Sequence, residues 1–301
     1  MSETKPLPPA LQGDCLSLDG HSGKLAYYCS MPAAAVESTP LLLLHSINAA
    51  AGAHEVRPLF DHYGAQRPVY APDLPGYGKS ERSARDYTPR LMTDAVLDMV
   101  AQIKRDHGDV AVDVLGVSLT SEFVSRAAKE SPTDFRSVAL VSPTGLNRNK
   151  PLRGAPGSTR GMPWLLRTLT LPLLGEGLYR LLTSPPSVRF FLQKTWGSKQ
   201  IDETMYEYSC LATKPEGAHR APFYFLSGFL FSADVFAVYE SLIQPVWASH
   251  GVRGDFTDYR LKTQLEERDN WQFQVFDSGA LPYFEHPDEF IESYDRFMDK
   301  L

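Results

Sequence analysis

The sequence predicts an α/β protein whose mostly parallel sheet is covered by helices on both faces. Short continuous apolar runs of strand length alternate with longer runs whose apolar residues recur at three- and four-residue spacing. Leu41 to His45 is a continuous apolar run, as expected for a buried parallel strand. The pattern breaks once, from about 147 to 230, where Pro, Gly, Trp and other aromatic residues are frequent and no β alternation is evident.

The elements follow in order. Cys15 to Leu18 and Lys24 to Ser30 read as an opening hairpin across Asp19-Gly-His-Ser-Gly23. Leu41 to His45 and Pro68 to Ala71 read as buried strands. Thr88-Pro89 starts a helix whose apolar stripe is Leu91, Ala95, Val96, Met99, Val100 and Ile103. Val110 to Leu115 is a strand leading into a helix from about Leu119 to Lys129, and Ser137 to Val141 is the next strand. Trp164 to Leu171 and Gly177 to Leu182 are helical stretches within an insertion over the sheet. Strands at Pro245 to Ser249 and Trp271 to Phe276 and a final helix from Pro287 to about Met298 complete eight strands. The expected organisation is one core, 1–146 and 231–301, with residues 1–12 a disordered lead-in, interrupted by a helical cap at 147–230.

At 301 residues the chain suits one large domain with an insertion. Net charge is −6, which predicts no nucleic-acid partner and no anionic membrane surface. Three scattered cysteines, Cys15, Cys29 and Cys210, suggest neither a disulfide framework nor a zinc site, and fit a reducing compartment. The N-terminus carries no signal-peptide pattern, and no apolar run approaches the roughly 18 residues of a membrane span. The expectation is a cytoplasmic monomer or homodimer binding a small molecule, with no cofactor and no metal.

Chemistry concentrates at strand ends. Val110-Ala-Val-Asp-Val-Leu-Gly116-Val-Ser118-Leu119-Thr120 reads as a strand, a tight turn and a helix. Such a turn lifts the serine hydroxyl clear of the sheet and aims a helix N-terminus at it. The plainer reading is a serine in an ordinary strand–helix loop. Leu41-Leu-Leu-Leu-His45-Ser-Ile47 ends a second strand. An acyl-transfer site needs two backbone N–H donors facing the developing oxyanion, and Leu119 and Ile47 would supply them. His45 reads as a buried, hydrogen-bonded residue shaping its loop rather than a catalytic one. Gly78-Lys79-Ser80 is no phosphate loop, because position 73, where the upstream glycine belongs, is aspartate.

His45-Ser46-Ile47, Asp73-Leu-Pro-Gly-Tyr-Gly-Lys-Ser80 and Gly116-Val-Ser118 together resemble the α/β-hydrolase superfamily from about residue 15 to 300. The resemblance implies an eight-stranded sheet, a helical cap and a Ser–His–acid triad. It makes Ser118 the nucleophile, with Thr120 in place of the motif's second glycine. It makes Asp255 the orienting acid, with Asp258 as competitor; both could instead cap a helix starting near Tyr259. Haloalkane dehalogenation and epoxide hydrolysis use an aspartate nucleophile in this superfamily, so Ser118 argues against both.

The triad histidine is missing. The family pattern implied by the resemblance is a Gly-His turn and then Glu-x-Pro after the last strand; Glu285 and Pro287 hold its register, so the histidine position falls on Ala280. A serine without a base loses orders of magnitude in rate, although elbow and oxyanion hole alone still give about 10³–10⁴ over water. Another histidine (His45, His54, His250 or His286) could reach the site, the substrate or a water could serve as base, or the chain carries an inactivating His-to-Ala change. The aromatic residues of 147–230 suit both a pocket for a small apolar molecule and the packing of a lid. The leading expectation is a hydrolase of an ester or related carbonyl compound. The alternatives are a ligand binder without turnover, or a lyase or isomerase using the same pocket.

Overall fold

The structure, a computed structural model, describes all residues except 1–5, 34, 148, 172–173 and 255–257. Eight strands form one sheet in the order β1-β2-β4-β3-β5-β6-β7-β8. They are β1 (Asp14–Gly20), β2 (Gly23–Ser30), β3 (Leu41–Leu44), β4 (Val69–Pro72), β5 (Val112–Val117), β6 (Phe135–Val141), β7 (Val246–Gly251) and β8 (Trp271–Phe276). The β1–β2 hairpin and the β2–β4 pair are antiparallel, and every other neighbour is parallel. This is the α/β-hydrolase sheet that the strand run predicts.

The parallel strands β3 to β7 are buried on both faces, whereas the edge strand β8 is partly exposed. Leu42, Leu44, Val112 and Val114 enter one core, while Leu41, Leu43, Leu115 and Val117 enter the other. Helices α1 (Arg57–Tyr63), α2 (Pro89–His107) and α3 (Thr120–Glu130) follow β3, β4 and β5. Thr88 caps α2, its hydroxyl accepting from the Leu91 N–H at 3.2 Å, and Pro89 pre-sets the first turn.

Between β6 and β7 lie six helices: α4 (Pro163–Leu169), α5 (Leu174–Leu182), α6 (Pro185–Trp196), α7 (Glu203–Ala212), α8 (Arg220–Leu226) and α9 (Val235–Glu240). A short α10 (Lys262–Glu266) precedes β8, and α11 (Pro282–Glu285) and α12 (Pro287–Met298) close the chain. The helix expected near Tyr259 thus begins at Lys262. The expected disordered lead-in also differs. Residues 1–5 lie outside the described residues, but Ala10 and Leu11 are buried, the Ala10 N–H donates to Tyr28 Oη at 3.0 Å, and Tyr208 Oη donates to the Pro8 carbonyl at 2.8 Å. Two tyrosine hydroxyls, one from β2 and one from α7, give this segment its backbone partners. No helix among the described residues is long and apolar enough to cross a membrane.

Candidate active site

β5 ends at Val117 and α3 begins at Thr120, so the chain reverses within two residues. Ser118 takes the bend at φ 55°, in the left-handed region. A non-glycine residue there costs about 1–3 kcal/mol and persists only where its surroundings hold it. They do: the Ser118 N–H donates to the Val141 carbonyl at 2.8 Å, and the Ser118 carbonyl accepts from the Ser121 N–H at 3.1 Å. Thr120 explains the departure from a second glycine. Its buried hydroxyl donates to the His45 carbonyl at 2.6 Å, tying the elbow to the end of β3.

His45 is fully buried, with Nδ1 donating to the Ser46 carbonyl at 2.6 Å and Nε2 accepting from the Leu74 N–H at 3.0 Å. Both ring nitrogens are committed to loop structure. Buried Asp73 accepts from the Ala53 N–H and the Lys79 N–H, each at 2.8 Å. Gly78 (φ 48°) is required beside it, since a Cβ there would collide with the Asp73 carboxylate. Glu55, also buried, fixes the loop after β3: it accepts from the Ser46 N–H and from Asn48 Nδ2, each at 2.7 Å. Between these anchored residues, the backbone N–H of Ile47 donates to no described residue, and neither does that of Leu119.

These loops line a cavity of about 380 Å³ that brings together Ser118, Leu119, Ile47 and Ala280. Its floor is the strand ends, and its roof comes from α5 through α8 by way of Leu182, Val188, Phe191, Met205 and Phe225. The Ser118 hydroxyl has no hydrogen-bond partner among the described residues. No histidine lines the cavity. His54 Nε2 is 3.0 Å from Ser209 Oγ, and its burial, reinforced by His45 and Arg57, lowers its pKa to about 3. His250 lies flat on Tyr259 with ring centroids 4.0 Å apart, and its Nδ1 donates to the Gly251 carbonyl. His286 sits at the α11–α12 junction with Nε2 3.0 Å from the Asp277 carbonyl. The suggestion that His45 or His286 assists the serine therefore meets a geometric objection: each is spent on a backbone partner and turned away from the cavity. Asp255 lies outside the described residues. Asp258 points to the surface and pairs with Arg260 at 2.6 Å.

Ala280 is held by both of its backbone groups. Its N–H donates to the Thr195 carbonyl at the end of α6 at 2.9 Å, and its carbonyl accepts from Ser142 Oγ at 2.7 Å. Gly279 lets α6 approach this closely, because a Cβ there would lie 2.5 Å from Thr195 O and from Trp196 backbone atoms.

Other polar groups at the cavity were not foreseen. Thr144 lines it, and its hydroxyl donates to Glu122 Oε1 at 2.5 Å; the Ser232 N–H donates to Oε2 at 2.7 Å. Burial pushes the Glu122 carboxyl up to about 7, against the pull of these hydrogen bonds and of Arg160. Ser142, at φ 50°, is a second strained serine at a neighbouring strand end. Lys194 and Ser209 reach the cavity from α6 and α7. The one sequence signal for this group was a glutamate four residues past Ser118 on a helix packed against the sheet.

A left-handed serine thus stands at the end of a central parallel strand, beside two N–H groups with no partner among the described residues. A family model described as "alpha/beta hydrolase fold" matches residues 39–183, and the chain has the α/β-hydrolase fold. Among solved structures it is similar to a probable hydrolytic enzyme from Pseudomonas aeruginosa, at 18% identity and a TM-score of 0.73, covering 98% of this chain and 99% of that one. A serine hydrolase involved in carbazole degradation matches at 14% identity and 0.70, covering 96% and 100%. An epoxide hydrolase from Acinetobacter nosocomialis matches at 16% and 0.70, covering 94% and 88%. No curated protein sequence matches the chain. At these identities the structural neighbours share the fold, and their differing chemistries leave the reaction to be argued from the residues.

Proposed function

We propose that Ser118 is the nucleophile of an acyl-transfer site acting on an ester or related carbonyl compound of a small, partly apolar molecule. The observation that carries this is the strained φ of Ser118 on a cavity wall it shares with two unpaired N–H groups. Strain is retained where the fold gains a positioned group from it. In this reading Ser118 Oγ attacks the carbonyl carbon, and the Ile47 and Leu119 N–H groups receive the charge on the carbonyl oxygen. Asp255 and position 280 would complete a triad if position 280 were histidine. With alanine there, the Ser118 proton passes to water or to a basic group of the substrate, and turnover is slow. The helices of 147–230 act as the cap over the site, and the cavity volume suits a ligand of drug size or smaller.

A second reading has its own support. Ala280 is tied through both backbone groups to α6 and Ser142, so the wall that would carry a base is sealed to the lid. That arrangement fits a chain that holds a ligand without turning it over. Labelling with a fluorophosphonate probe separates the two. The proposal expects modification of Ser118 that disappears in Ser118→Ala, and absence of labelling in the folded parent chain would contradict it.

A further inference from the structure

The lid differs from the rest of the chain in both charge and exposed surface. Residues 149–200 contain eight of the chain's 30 Lys and Arg but only one of its 36 Asp and Glu, Glu176. The net charge of −6 therefore hides a strongly basic stretch inside an acidic remainder. The same stretch is the least covered. Among the described residues, eight of the 16 exposed large apolar residues lie between Met162 and Phe191. On α5, Leu174, Leu178 and Leu181 are spaced i, i+4, i+7 on one face, and Leu181 is 67% exposed; Gly175 and Tyr179 point inward and are buried. Trp164 on α4 (65% exposed) and Phe190 and Phe191 on α6 extend the apolar face, since α4 packs on α5 and α5 on α6. Arg167, Arg180 and Lys194 are exposed on the same three helices. A contiguous apolar face of this kind marks an interaction site.

Phe191 and Lys194 are exposed and also line the Ser118 cavity, so this face adjoins the cavity at α6. We infer that the outer face of α4–α6 docks on an anionic lipid surface and turns the mouth of the cavity toward it. Exposed apolar side chains accompanied by Lys and Arg on neighbouring amphipathic helices are the pattern that binds such a surface. Charge complementarity selects this occupant over a second copy of the acidic chain presenting the same basic face.

The test is sedimentation of the intact chain with phosphatidylcholine vesicles, with and without phosphatidylglycerol. Phosphatidylglycerol vesicles should capture the chain at least about tenfold better than phosphatidylcholine alone, and less as salt rises. Leu181→Asp with Phe190→Asp should abolish capture. Arg167→Gln with Arg180→Gln should weaken it about 25-fold, from about fivefold per cation. All four side chains are exposed, so thermal melting should match the parent in both variants and confirm folding. Equal capture by both vesicles, no capture, or capture that survives the double aspartate change would overturn the inference. So would a dimer in solution that the aspartate changes dissociate. None of these readouts depends on Ser118 chemistry.

Discussion

The cavity has two walls, built in opposite ways. The strand-end wall is held by buried side chains: Thr120 on the His45 carbonyl, Asp73 on two N–H groups, and Glu55 on Ser46 and Asn48. These fix an elbow and a loop while leaving two N–H groups unspent. The wall at Ala280 is held by backbone, through the Thr195 carbonyl and Ser142, and by the absence of a side chain at Gly279. One wall is organised to present reactive groups and the other to close against the lid. In the proposed reading the difference separates a wall that positions Ser118 from a wall that offers it no proton-transfer partner.

Breaking the strand-end wall should show in pH dependence. His54 stays neutral inside the fold down to about pH 3, whereas unfolded histidine takes a proton near 6.5. Stability from this group is complete above pH 6.5 and is lost as pH falls toward 3, because the unfolded chain then binds the extra proton. His54→Gln, keeping a partner for Ser209, should remove about 3 kcal/mol of the loss between pH 6.5 and pH 4, read by urea unfolding. Glu122 acts with the opposite sign. Its carboxyl titrates near 7 when folded against 4.5 for an ordinary glutamate, so the native state holds the extra proton, and stability declines between pH 4.5 and 7. Glu122→Gln should be more stable than the parent by about 2–3 kcal/mol at pH 8 relative to pH 4.5. An unchanged slope in either variant would mean that the group is solvated in the native chain.

The other wall is tested by Gly279→Ala. The added Cβ meets the end of α6 at 2.5 Å, so the variant should lose about 1–3 kcal/mol in the same unfolding assay. An unchanged stability would show that the lid does not press on this turn.

The sequence made much of the frame legible and less of the chemistry. β8 and α12 have the boundaries that their apolar runs and Pro287 indicate, and Thr88 caps the helix it was expected to start. Helices α6 and α7 were not recognised, although Ser184-Pro185-Pro186 and Asp202 are start signals; Asp202 accepts from the Met205 N–H at 2.6 Å. Their mixed aromatic and polar faces, wrapped over a cavity, lack one clean apolar stripe. Ser118, Leu119, Ile47 and Ala280 do share one cavity, because strand-end loops of a parallel sheet converge at its carboxyl edge. Glu122 and Glu55 were invisible for the converse reason: a charged residue in a helix reads as solvent-facing until its burial is known.

The central claim is that Ser118 and its oxyanion donors stand ready and lack only a base. Ala280→His, assayed against a p-nitrophenyl ester beside the parent chain, tests it most directly. A rise in kcat/KM of about 10² or more, abolished by adding Ser118→Ala, is the predicted result. A folded Ala280→His chain no faster than the parent would contradict it.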